Sequence, residues 1–115
     1  MRVYVLKSKL HNAVITETKL DYEGSITIDM EIVRKAKMFP YEKVLVADIT
    51  NGSRFETYII PGKEGSKEIC INGAAARLVQ EGDRIIVMAF TWIDETEAEN
   101  FKPIVLRMDQ NNNII

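Results

Sequence analysis

Residues 22–25 read Tyr-Glu-Gly-Ser and lie between two stretches of strand character. The Gly24-Ser25 bond is where residue type alone suggests covalent chemistry. Ser25 places a hydroxyl beside the carbonyl carbon of its own preceding peptide, and glycine admits backbone angles closed to other residues. Attack by Ser25 Oγ on the Gly24 carbonyl would exchange an amide for an ester. In a relaxed trans peptide that exchange is uphill, and Gly-Ser pairs are common in plain turns. Gly24-Ser25 reads as a self-cleavage site only in company with the groups that surround it.

The elements that must position this bond are mostly short strands. Val3 and Val5, then 13–16, 26–28, 44–49, 55–60, 69–71 and 84–90, are rich in β-branched residues and alternate with period two. Short strands with frequent turns predict a barrel. Two stretches break the pattern. Asp29 is placed to cap a helix containing Ile32, Val33, Ala36 and Met38 that ends before Pro40, and Asn72 to cap a second helix over 74–80, with Gly82 just past its end. The segment 94–101 is helix-like in composition, and the Asn-rich end from Gln110 is expected to fray.

Asn51-Gly52 has the residue types of a tight hairpin turn and introduces the strand carrying Arg54, Thr57 and Tyr58. On a regular strand Arg54 and Tyr58 share a face and Thr57 points the other way. Thr57 therefore serves either through its backbone, or on a different rim, or on an irregular strand.

Bulk properties bound the function. A chain of 115 residues fits one domain, 1–115, with a small core. With 15 basic and 17 acidic residues there is no field to attract nucleic acid and no basic stripe with interleaved aromatics, so an anionic ligand needs locally placed cations. His11 is the only histidine. A metal site built on histidines is excluded, and a Ser-His hydrolase would have to use His11. Cys70 is the only cysteine, set in an apolar strand, and reads as buried packing. No apolar run reaches the roughly 20 residues of a membrane span, and no secretory signal is visible, so a cytoplasmic protein is expected. The glycosylation-like Asn51-Gly52-Ser53 is then simply a turn.

Four segments occur in order: Lys9-Leu10-His11, Tyr22-Glu23-Gly24-Ser25, the run from Thr50-Asn51-Gly52 through Arg54 and Phe55 to Thr57-Tyr58, and Asn72-Gly73-Ala74-Ala75-Ala76. Together they resemble the pyruvoyl-dependent aspartate 1-decarboxylases, from the first strand to about Met108, leaving out the Asn-rich tail. The resemblance implies a six-stranded double-psi β-barrel with short helices, and a homotetramer with each site at a subunit boundary. It implies cleavage into residues 1–24 (β chain) and 25–115 (α chain), with Ser25 becoming a covalent pyruvoyl group. The implied reaction is decarboxylation of L-aspartate to β-alanine and carbon dioxide, a step toward pantothenate and coenzyme A.

The chemistry suits those residues. Loss of carbon dioxide from an amino acid leaves a carbanion that needs an electron sink conjugated to the substrate nitrogen, and a ketone at residue 25 is such a sink. Within the resemblance, Arg54 offers a bidentate fork to the carboxylate that stays, since gripping the departing one would stabilise the ground state. Lys9 assists at either carboxylate. Tyr58 is the candidate general acid that returns a proton to the α-carbon. Thr57 donates to the oxygen that becomes negative in the acyl shift, and Asn72, Gly73, Ala74 and Ala75 line the pocket with helix-start amides. His11 either lines the site, assisting cleavage or orienting Lys9, or is a polar residue of the barrel; Tyr22 closes the far wall. Where the family often carries tryptophan, this chain has Ala47. The competing reading is an uncleaved double-psi barrel acting as an anion-binding or assembly module, and an uncleaved chain would otherwise point to a maturation factor.

Overall fold

The computed structural model describes residues 1–115, and alternating β-branched residues do form its framework. The elements are β1 (Arg2–Val14), β2 (Glu17–Lys19), β3 (Ser25–Asp29), α1 (Met30–Lys35), β4 (Lys43–Asp48), β5 (Arg54–Gly62), β6 (Ile69–Asn72), a 3-10 helix (Gly73–Leu78), β7 (Arg84–Asp94), α2 (Glu95–Ala98) and β8 (Ile104–Arg107). The strands pair in the order β2-β6-β3-β5-β4-β7-β1-β8. β3 runs parallel to β5 and antiparallel to β6, while β4 pairs antiparallel with β5 and β7.

Closure comes from one segment. β1 pairs with β7, and its continuation β2 pairs with β6, so residues 2–19 link the two ends of the strand order. At the crossing, Thr16 N donates to Ile69 O at 2.8 Å and Ile69 N donates to Thr16 Oγ1 at 3.0 Å. The mainly β barrel with short helices is as expected. The hydrogen-bonded strands number eight rather than six, because β2 is the continuation of β1 and β8 adds beside β1. Ile26, Ile28, Ile59, Ile69, Ile71 and Ile85 point inward and are fully buried. Each contributes about 2 kcal/mol of apolar burial, the main term holding the barrel closed.

Helix expectations need revision at their ends. Asp29 caps α1, accepting from Glu31 N at 2.9 Å, and it also accepts from Gly65 N and Lys67 N. Burial works against its charge, but these three N–H donors hold its carboxyl below the usual range. α1 stops at Lys35 because Lys37 turns left-handed at φ 57°, so Met38 packs as a turn residue. The second helix is a 3-10 segment ending at Leu78, and the Asn72 side chain makes no capping bond to it. α2 covers only Glu95–Ala98. The link from β4 to β5 spans Ile49 to Ser53, longer than a two-residue hairpin, with Gly52 at φ 79° and the Asp48 carboxylate accepting from Thr50 N and Asn51 N.

The Asn-rich end is not frayed. Asn112 is buried, its Oδ1 accepting from Val14 N at 2.7 Å and its Nδ2 donating to Val14 O and Lys67 O. Met108 and Ile114 form a bridge. An asparagine run can look like a solvated tail by composition, yet one amide that matches backbone groups of two other segments ties it down.

Candidate active site

Ser25 opens β3 and is 1 % exposed. Its Oγ donates to Glu23 O at 3.0 Å and accepts from Asn72 Nδ2 at 3.0 Å. Asn72 lies directly across the antiparallel β3–β6 pair, so the register of two strands sets this contact. The expected cap at Asn72 is corrected accordingly: its side chain serves Ser25 rather than the helix behind it.

Gly24 does not use a left-handed backbone, and a Cβ built on it meets nothing within 4 Å. The conformational demand falls on Gly73, at φ 77°, whose added Cβ would lie 2.6 Å from Gly24 Cα, 2.7 Å from Gly24 N and 3.0 Å from Tyr22 O. Only a residue without a side chain lets the backbone of segment 22–24 lie this close. Tyr22 itself is exposed, with Lys19 Nζ 5.9 Å from its ring centre. Beyond Gly73, Ala74 is exposed and Ala75 packs partly against the core.

β5 is regular, which decides the question of Thr57. Phe55 and Ile59 face the core, and Thr57 lies between them on the inner side; Arg54, Glu56 and Tyr58 face outward. No bulge re-aims Thr57. In the parallel β3–β5 pair Ile26 is level with Ile59, so the register one step earlier carries Ser25 toward Tyr58. Both occupy the outer face. Tyr58 also stands beside Tyr41, ring centres 6.4 Å apart, and with Lys43, Glu56 and Thr57 it lines an open cleft of about 250 Å³.

Arg54 lies four residues before Tyr58 on β5, about 13 Å along an extended strand, and thus well away from the level of Ser25. Lys9 sits on β1 opposite Met88, and Met88 is opposite Leu45 of β4, which pairs with Glu56. Lys9 is thus three strands from β5. His11 alternates with the inward Leu10 and pairs with Arg107 of β8. Its Nδ1 is buried without a partner, and burial, then Lys9 and Arg107, push its pKa below the ordinary imidazole value. Ala47 pairs with Arg54 and is 8 % exposed. The outer wall therefore gathers Ser25, Asn72, Gly73 and Tyr58, while Arg54 lies farther along β5 and Lys9 and His11 lie three strands from it on β1.

Comparison with known proteins bears on what joins them. A sequence model of the family described as aspartate decarboxylase matches residues 1–115. The chain belongs to the aspartate decarboxylase family. Among curated relatives, aspartate 1-decarboxylase of Chlorobium luteolum is 58% identical over 113 residues, covering 98% of this chain and 88% of the relative. The enzymes so named from Clostridium kluyveri and Clostridium novyi are 54% and 52% identical over 114 residues, covering 99% of this chain and 90% and 93% of theirs. The match includes the Asn-rich end, which the four motifs had left outside.

In this aspartate decarboxylase family chain, motif reading missed two residues that touch the Ser25 group. Asn72 Nδ2 also donates to Thr27 Oγ1 at 3.0 Å, and Cys70 Sγ donates to Asn72 Oδ1 at 3.2 Å. Cys70 is buried, as its apolar setting predicts, yet it is also a hydrogen-bond donor. The available signal was the spacing: Ser25 and Thr27, like Cys70 and Asn72, are two apart and so share a strand face.

Proposed function

We propose that this chain decarboxylates L-aspartate to β-alanine and carbon dioxide after cleaving itself between Gly24 and Ser25. Family membership over the full chain supports the reaction, and the observation that carries the cleavage reading is the buried Ser25 hydroxyl held at 3.0 Å by Asn72 Nδ2. That hydroxyl is next to the carbonyl it must attack, and the Gly73 contact confines the Gly24 backbone. In the shift the Oγ–carbonyl bond forms, the Gly24–Ser25 amide breaks and the hydroxyl proton passes to the freed nitrogen. Elimination across the ester then releases residues 1–24, and water replaces ammonia at residue 25. The polar groups around Ser25 fit the pyruvoyl group so formed: the Asn72 amide offers N–H donors to a carbonyl oxygen. When present, that group supplies an electron sink for the substrate's α-carbon.

The other roles rest on this chain's own groups. Arg54, exposed and outside every ion pair of the chain, binds the retained carboxylate; Lys9 adds a second cation. Tyr58, outward and level with Ser25, delivers the proton to the α-carbon. His11, whose pKa burial and then Lys9 and Arg107 lower, lies near Lys9 on β1. Thr57 points inward, so its part in the acyl shift falls to its backbone.

Because Arg54 and Lys9 lie apart from the Ser25 group, and from each other, within one chain, neighbouring subunits complete the site, and a homotetramer is the assembly proposed. The outward Tyr4, stacked on Phe90 at 5.5 Å and beside Trp92 at 4.6 Å, supplies apolar surface for such contacts. No helix is long and apolar enough to cross a membrane.

Denaturing intact mass tests the reading. A fragment starting at residue 25 and lighter by one ammonia than a serine-initiated chain is the expected result, together with carbon dioxide release from aspartate. A single intact chain without turnover, even after heating or incubation with cell extract, would favour the anion-binding barrel and remove the need for a maturation factor.

A further inference from the structure

The side chains around Asn72 form a two-by-two block on the outer face of β3 and β6, with Ser25 opposite Asn72 and Thr27 opposite Cys70. Opposed residues of adjacent strands bring their Cβ atoms to about 5 Å, so the four side chains are in mutual reach. Ser25 and Asn72 are each 1 % exposed and Cys70 4 %, so little solvent reaches these three to stand in for a missing partner, while Thr27 is half-buried. We propose that Cys70 and Thr27 are positioning residues for the self-cleavage step, fixing the Asn72 amide with its NH2 toward Ser25. This rests on the cleavage reading given above.

Counting donors and acceptors shows why the direction of the amide matters. A serine hydroxyl has one hydrogen and two lone pairs. The Ser25 hydrogen goes to Glu23 O and one lone pair accepts from Asn72 Nδ2, so one lone pair is left for the Gly24 carbonyl carbon. As the hydroxyl becomes nucleophilic, the N–H donor supports the growing negative charge on Oγ. With the amide reversed, Glu23 O and Asn72 Oδ1 would compete for a single hydrogen, and Oγ would lose its only donor.

Cys70 opposes that reversal, and Thr27 anchors the NH2 beside Ser25. The Cys70 thiol donates to Asn72 Oδ1, and burial, reinforced by the Glu17 carboxylate, keeps the thiol protonated and able to donate. Thr27 Oγ1 takes the second Nδ2 hydrogen. Removing Cys70 leaves Asn72 Oδ1 unpaired, removing Thr27 leaves one of the two Nδ2 hydrogens unpaired, and either loss frees the side chain to turn.

The test follows cleavage of freshly expressed full-length chain over time by intact mass. Cys70→Ala and Thr27→Val should each slow cleavage roughly two- to tenfold, the rate equivalent of one hydrogen bond. Cys70→Ser and Thr27→Ser, which restore a hydroxyl, should cleave at nearly the wild-type rate. Cleavage of Cys70→Ala and Thr27→Val at the wild-type rate would overturn the proposal. So would equal slowing by the Ser and Ala variants at Cys70, since lost packing alone produces that pattern. Should Cys70→Ala not fold, the Thr27→Val and Thr27→Ser pair decides in the same way. A wild-type chain that never cleaves would overturn the cleavage reading itself, and this proposal with it.

Discussion

Gly73 and Gly24 are in backbone contact across the turn between β6 and the 3-10 helix: a Cβ on Gly73 would sit 2.6 Å from Gly24 Cα. Gly73→Ala must push segment 22–24 aside and also adopt φ near 77° with a side chain. Strain of this kind costs about 1–3 kcal/mol. Gly73→Ala is expected to lower the Tm and slow cleavage, whereas Gly24→Ala, whose Cβ meets open space, should keep the wild-type Tm. Equal Tm losses in the two variants would show that this contact does not confine the bond.

Ser25 and Arg54, apart on the outer wall of one chain, predict complementation. Arg54→Ala should cleave normally but lose about a hundredfold in kcat/KM, the scale of a lost charge-assisted fork. Ser25→Ala should neither cleave nor turn over. Coexpressed, the two variants should recover part of the wild-type rate, because in mixed assemblies some sites pair an intact Ser25 with a partner's intact Arg54. A mixture as inactive as its parts would place both groups in one chain's site.

Asp48 sets a pH dependence. It is 2 % exposed and its Oδ2 has no partner, while its neighbour Asp83 is 9 % exposed and accepts from Gln80 N at 3.0 Å. Burial first, and the contact with Asp83 second, raise the Asp48 pKa. The folded chain therefore prefers the proton, and that stabilisation is complete below the ordinary carboxylate value of about 3.9 and lost as pH rises through the raised one. Asp48→Asn offers Asp83 a permanent donor. Its Tm should exceed that of wild type at neutral pH, and the two should converge at about pH 3. A constant difference across the range would remove Asp48 from this role.

Asn112 anchors the end of the chain by three hydrogen bonds, to Val14 N, Val14 O and Lys67 O. Asn112→Ala strands these groups and should cost about 2–3 kcal/mol, read as a lower denaturant midpoint. An unchanged midpoint would return residues 110–115 to the status of a loose tail.

Much of the barrel was legible because it rests on local physics. Period-two runs of Ile and Val specify strands wherever one face is buried, and Asp29 marks a helix start through its side chain. Helix ends were less legible: Lys37 at φ 57° and the 3-10 form of 73–78 depend on how those segments meet the core. The Asn-rich end was misread because composition cannot show that one amide finds Val14 and Lys67, distant in sequence.

By itself the sequence supplied the residue types of the proposed site, Ser25 after Gly24, Tyr58, Arg54 and Lys9, and determined the parity that sets Thr57 opposite Arg54 and Tyr58 on β5. Spacing along one strand is a property of that strand alone. Only the tertiary structure decided that Gly73, rather than Gly24, bears the steric demand, that Asn72 holds Ser25 instead of capping a helix, and that Cys70 and Thr27 hold Asn72. Those relationships follow from the pairing register of β3 with β6, which joins residues 25–28 to 69–72. Register is a long-range choice, made by which apolar faces the closed barrel buries together.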